Sequence, residues 1–69
     1  MTQTEVIRAH LYEGKAITPM QALRLYGCFR LAARILDLRR QGETVLSHTM
    51  RDGRKSWSAY YVPVHERRA

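Results

Sequence analysis

Between Thr18 and Gly42 two helix signals stand almost back to back, separated by a single glycine. Thr18-Pro19-Met20-Gln21 is a strong helix start. Thr18 can cap, Pro19 is pre-set for the first helical position, and Gln21 completes a capping box. Gly27 supplies the positive φ of a sharp turn. A second helix follows, predicted from Cys28 or Phe29 to Arg40 or Gln41 and stopped by Gly42. Within it Leu31, Ile35 and Leu38 recur at helical spacing and form an inward stripe. A chain with this arrangement cannot be a long bundle or a continuous sheet. It must pack two short helices across a tight corner.

Two helices joined by a short glycine-containing turn form a helix-turn-helix, whose second helix docks in the major groove of DNA. The flanking sequence predicts the rest of a small α+β domain. Thr2-Gln3-Thr4-Glu5 reads as a capping box, opening a helix that runs to Tyr12 or Glu13, with Gly14 just past its end. Lys15-Ala16-Ile17 reads as a short extended link suited to a minimal edge strand. After Gly42 the period changes. Thr44 to Met50 is rich in β-branched residues, Ser56 to Val62 alternates, and Asp52-Gly53 lies between them as a hairpin turn signal. The expected fold is therefore mostly α: three helices plus a C-terminal β-hairpin wing, a winged helix-turn-helix over residues 1–63. Residues 64–69 are expected to form a short charged, mobile tail.

The alternation in the second strand puts Trp57, Ala59 and Tyr61 on one side and Ser58, Tyr60 and Val62 on the other. Trp57 and Tyr61 are expected to pack on the helices and Tyr60 to face water. The expected core is Val6, Leu11, Leu23, Leu31, Ile35, Leu38, Val45 and Trp57.

Charge sharpens the functional expectation. The chain of 69 residues carries a net charge of +6, and ten of its twelve basic residues are arginine. The segment Arg24–Lys55 holds +5 of that charge, with only Asp37, Glu43 and Asp52 as acids. A basic patch on a small domain suits a polyanion, and arginine bonds phosphate and guanine bidentately. Arg30, Ala33, Arg34, Asp37 and Arg40 lie on the predicted outer face of helix 29–41. Arg51, Arg54 and Lys55 surround the wing tip at 51–55. These eight residues form the expected DNA-binding set: the helix reading the major groove, the wing following backbone phosphates. The bland alternatives are a solvated helix face with Arg34 held by Asp37, helix-dipole stabilisation by Arg39 and Arg40, and a charged edge hairpin.

Other chemistries find no pattern. His10, His48 and His65 sit on different elements without ligand-like spacing, so no metal is expected. Cys28 is the only cysteine, which rules out an intrachain disulfide, and reads as a small buried residue at the helix junction. No catalytic arrangement, cofactor motif or small-molecule site is evident. A non-enzymatic, cytoplasmic protein without a membrane span is expected.

Ile17-Thr18-Pro19-Met20-Gln21-Ala22, with Leu25-Tyr26-Gly27 and Arg30-Leu31-Ala32-Ala33-Arg34-Ile35-Leu36-Asp37-Leu38-Arg39, resembles a family of small helix-turn-helix proteins common in phages and prophages. The match spans roughly residues 5 to 62. It departs at Cys28-Phe29, where relatives often carry a small polar residue able to cap the third helix. The resemblance implies a double-stranded-DNA-binding regulator of a phage or mobile element, and the small size of one module suggests a homodimer on DNA. The competing expectation is a protein-interaction module that blocks a nucleic-acid machine, as an anti-defence inhibitor would. An exposed Leu46 or Tyr60 patch, with arginines paired to acids, would favour that module. A continuous basic surface joining Arg30, Arg34 and Arg54 would favour DNA.

Overall fold

The computed structural model describes residues 2–67, so Met1 and the last two residues of the expected tail lie outside the described residues. Three helices precede an antiparallel hairpin: α1 (Gln3–Tyr12), α2 (Pro19–Tyr26), α3 (Leu31–Arg40), β1 (Leu46–Asp52) and β2 (Lys55–Tyr61). The fold is the expected winged helix-turn-helix.

Local chemistry accounts for most boundaries. Thr2 caps α1 by accepting from Glu5 N–H at 3.2 Å. At α2 the capping box closes both ways, Thr18 Oγ1 accepting from Gln21 N–H and Gln21 Oε1 from Thr18 N–H. Gly27, at φ 63° and ψ 25°, ends α2 in the left-handed region, its N–H donating to Leu23 at 3.0 Å. Cys28 then turns inward and donates to the Ala22 carbonyl at 3.1 Å. That inward turn delays α3, which begins at Leu31 rather than at residue 28 or 29. Its N-cap is Arg30, which makes no side-chain cap.

The hairpin runs in register from Leu46↔Tyr61 to Asp52↔Lys55. Its central turn residues are Gly53 and Arg54, not Asp52 and Gly53. Only the first has positive φ, 62°, as a type II′ turn requires. The expected edge strand is a single bridge, Ile17↔Tyr60, with hydrogen bonds of 2.9 and 2.8 Å.

The core gathers Ile7, Leu11, Ile17, Ala22, Cys28, Leu31, Ile35, Leu38, Val45 and Val62. Five of the expected core residues are there: Leu11, Leu31, Ile35, Leu38 and Val45. Val6 is only half-buried, because α1 turns Ile7 inward instead. Leu23 lies on the flank of α2, where Ala22 and Tyr26 take the inner side, and Trp57 remains 37 % exposed. The expected faces of β2 hold only in part. The Ile17 bridge draws Tyr60 onto the core, where Val62 is buried too, while on the other face only Ala59 is buried and Trp57 and Tyr61 remain 37 % exposed. After Pro63 the chain does not trail away: Val64–Glu66 form a 3-10 turn, and Arg67 Nε donates to the Val62 carbonyl at 3.3 Å.

Two polar clusters fix how α1 sits on the rest. Arg8 Nε donates to Glu43 Oε2, Tyr12 Oη donates to Glu43 Oε1 at 2.7 Å, and the Arg8 guanidinium stacks 4.1 Å from the Tyr12 ring centre. Hydrogen bonding to the buried Glu43 carboxylate raises the Arg8 pKa above its ordinary value, against a smaller opposing effect of burial. On the other side His10 bridges α1 to α2. Its Nε2 lies 3.0 Å from the Ala16 carbonyl, which can only accept, so Nε2 carries a proton. Nδ1, 2.6 Å from Tyr26 Oη, then accepts from the phenol in the neutral imidazole.

Candidate nucleic-acid interface

The inward stripe of α3 is Leu31, Ile35 and Leu38, all buried. Helical geometry therefore points Ala33 and Arg40 directly away from the core, with Ala32 and Leu36 on one shoulder and Arg34 and Asp37 on the other. The two shoulders have different fates. Thr4 Oγ1 donates to Asp37 Oδ2 at 3.3 Å, so the start of α1 runs along the Arg34–Asp37 side. A polar groove lies there, lined by Thr2, Thr4, Glu5, Arg34, Asp37 and Arg40. Arg34 Nε is 3.1 Å from Asp37 Oδ2, an ion pair by distance. The N–H is not aimed at that oxygen and has no hydrogen-bond acceptor among the described residues. The shoulder bearing Ala32 and Leu36 is exposed.

The sequence-predicted site residues thus fall into three groups. Arg30 and Arg40 are exposed at the two ends of α3, and no ion pair holds either among the described residues. Ala33, Arg34 and Asp37 are half-buried, the two charged residues on the α1 side and facing each other. Arg51, Arg54 and Lys55 are exposed at the wing tip, and among the described residues none of them pairs with an acid. Lys55 faces Asp52 across the last rung of the hairpin without an ion pair. Other cations are committed elsewhere: Arg8 to Glu43, Lys15 to Glu13, and Arg39 to the Val45 carbonyl through Nε and Nη2. The Arg39 contact ties the last turn of α3 to the start of the wing.

Sequence reasoning missed two features of this surface. Phe29, in the turn before α3, is 86 % exposed. On the hairpin, Leu46, Tyr61, Met50 and Trp57 form two cross-strand pairs on one face, each residue more than a third exposed. Alternation along both strands carried that second signal, but it does not say which face the helices cover.

No group of three His, Cys, Asp or Glu side chains among the described residues is placed to hold a metal ion, and no described helix is long and apolar enough to cross a membrane. No curated protein and no solved structure matches the chain. A family model does, over residues 2–62, which takes in α1, the helix-turn-helix, the wing and the buried Val62. The chain belongs to the winged helix-turn-helix domain family.

Proposed function

We propose that the protein binds double-stranded DNA as a regulator of a phage or mobile element. The observation that carries this reading is the open face of α3, flanked by the unpaired cations Arg30 and Arg40 and accompanied by a basic wing tip. In a helix-turn-helix that face enters the major groove, and the first turns of the helix meet base edges. Arg30 and Arg40 supply charge at either end of the helix, and Arg34, held beside Asp37, contacts DNA at the groove's edge. Arg51, Arg54 and Lys55 follow the sugar-phosphate backbone, which positions the domain without reading sequence. One module covers few base pairs, so the active species is a homodimer on half-sites about 34–36 Å apart. Selection of bound sequences from a random duplex library tests the reading. Recovery of a consensus supports it, and no detectable duplex binding at low salt refutes it.

A second reading has specific support. Leu46 is exposed and Arg34 is paired to an acid, which is the pattern of a protein-interaction module using the same scaffold. A chain that ignores duplex DNA but co-purifies stoichiometrically with a nucleic-acid enzyme would establish that module instead.

A further inference from the structure

Cys28 is almost fully buried, and its N–H is tied to Ala22. Pinning residue 28 inward throws its neighbour outward, and Phe29 stands at the leading end of α3 with 86 % of its surface in water. A phenyl ring left there stabilises nothing in the fold. It is also not isolated. On α3 itself Ala32 and Leu36, one turn apart, are exposed as well, Leu36 by 46 %. Ala32 and Leu36 occupy the shoulder of α3 opposite Arg34 and Asp37, and Phe29 stands in the turn just before that helix. The surface offered to a groove is therefore apolar along its first two turns, with cations at Arg30 and Arg40.

We infer that Phe29 is a specificity-determining residue that reads the C5-methyl group of thymine in the major groove. The inference rests on the DNA-binding reading above. The major-groove edge of every base pair is polar except for one group, the thymine methyl. An apolar strip laid against hydrogen-bonding edges strips them of water without replacing their bonds, which is unfavourable. The same strip laid against methyl groups gains contact and loses nothing. Ala32, one turn along, is small enough to let the helix approach, and charge complementarity comes from Arg30 beside the ring. Arg30 is exposed and makes no side-chain cap at the start of α3. Preference at these positions comes from shape and methyl contact, with arginine supplying affinity.

Deoxyuridine differs from thymidine at this edge by the methyl alone. A duplex is first selected from a random library by the intact chain, and each thymine is then replaced singly by uracil. One or two replacements should weaken binding about fourfold each, the loss expected for one methyl-sized group at ~0.8 kcal/mol. Phe29→Ala should bind the thymine and uracil duplexes equally at those positions while keeping its salt dependence. Because the ring is exposed, the variant should melt with the parent, and circular dichroism checks this. If uracil is tolerated everywhere by the parent, or Phe29→Ala discriminates as the parent does, this inference is overturned while salt-dependent duplex binding leaves the DNA-binding reading standing. Absence of any duplex binding overturns both.

Discussion

Salt dependence counts the cations free to neutralise phosphates. Ion pairs and carbonyl contacts account for Arg8, Lys15, Arg34, Arg39 and Arg67. Among the described residues this leaves Arg24, Arg30, Arg40, Arg51, Arg54 and Lys55 for phosphates. Each phosphate neutralised on B-DNA contributes ~0.9 to the slope of log affinity against log salt. If all six meet phosphates, the slope has a ceiling of about 5, and affinity falls on the order of a thousandfold for a fourfold rise in salt. The wing trio supplies about half of that. Fluorescence anisotropy with a short labelled duplex, titrated at several salt concentrations, measures it. Arg54→Ala should lower the slope by about 0.9 and weaken preferred and scrambled duplexes alike. Lys15→Ala serves as the control: it removes the same formal charge from a pair 3.2 Å across, in the link before α2. It should leave the slope unchanged. Equal slopes for the two variants, both below the parent, would mean that overall charge and not this surface drives binding. A slope near zero would remove the phosphate contacts altogether.

Other perturbations test the fold and the interface. Ile35→Ala, at a site 1 % exposed, should cost about 2–5 kcal/mol in chemical denaturation, whereas Trp57→Ala should cost less, since its ring is partly in water. Arg8→Ala removes the Arg8 cation from the buried Glu43 carboxylate. It should cost about 2–4 kcal/mol, discounted from the range for a fully buried pair because Arg8 is 38 % exposed. The Arg8 pKa is raised on folding by its bond to Glu43, so its share of that stability is fully present below the unfolded arginine pKa and is lost only as pH climbs through the higher folded one. An Arg8→Ala difference that fades at mildly alkaline pH would contradict this assignment. Tyr26→Phe removes the phenol donor to His10 Nδ1 and should lower stability by about 0.5–1.5 kcal/mol by thermal melting. On DNA, Arg34→Ala should weaken the preferred site and Asp37→Asn should strengthen it; weakening by both would mean that Asp37 is needed to aim Arg34.

Features with local causes were legible from the chain. The Thr18–Gln21 box, the left-handed Gly27 and the Leu31–Ile35–Leu38 stripe each depend on residues within a turn or two of one another. What the sequence left open was rotation. Val6 and Ile7 are equally apolar, and only the Arg8–Glu43 and His10–Tyr26 contacts, spanning 35 and 16 residues, decide that Ile7 faces inward. Both faces of β2 carry aromatic residues, so period two alone does not orient the strand. The deciding contact is a one-residue bridge at Ile17, whose extended link was legible but whose pairing partner was not. For Phe29 there was a signal: with no capping residue at 28 or 29, α3 starts late, and the residue beside a buried cysteine is driven outward.

The rotation of α1 carries over to the interface. Once Arg8 and Tyr12 hold Glu43, just beyond the end of α3, the start of α1 has to lie along α3, and Thr4 reaches Asp37. That contact takes up the shoulder of α3 where sequence reasoning concentrated its charge, and leaves uncovered the shoulder of Ala32 and Leu36, which follows the exposed Phe29 of the preceding turn. The chemistry presented to a groove is thus set by a first helix that reads as scaffold. Arginines at the rim and an apolar strip at the centre divide the work differently from an all-arginine face. Under the proposed DNA-binding reading, the charges would set how strongly the domain holds any duplex, and the exposed apolar residues where along the duplex it fits.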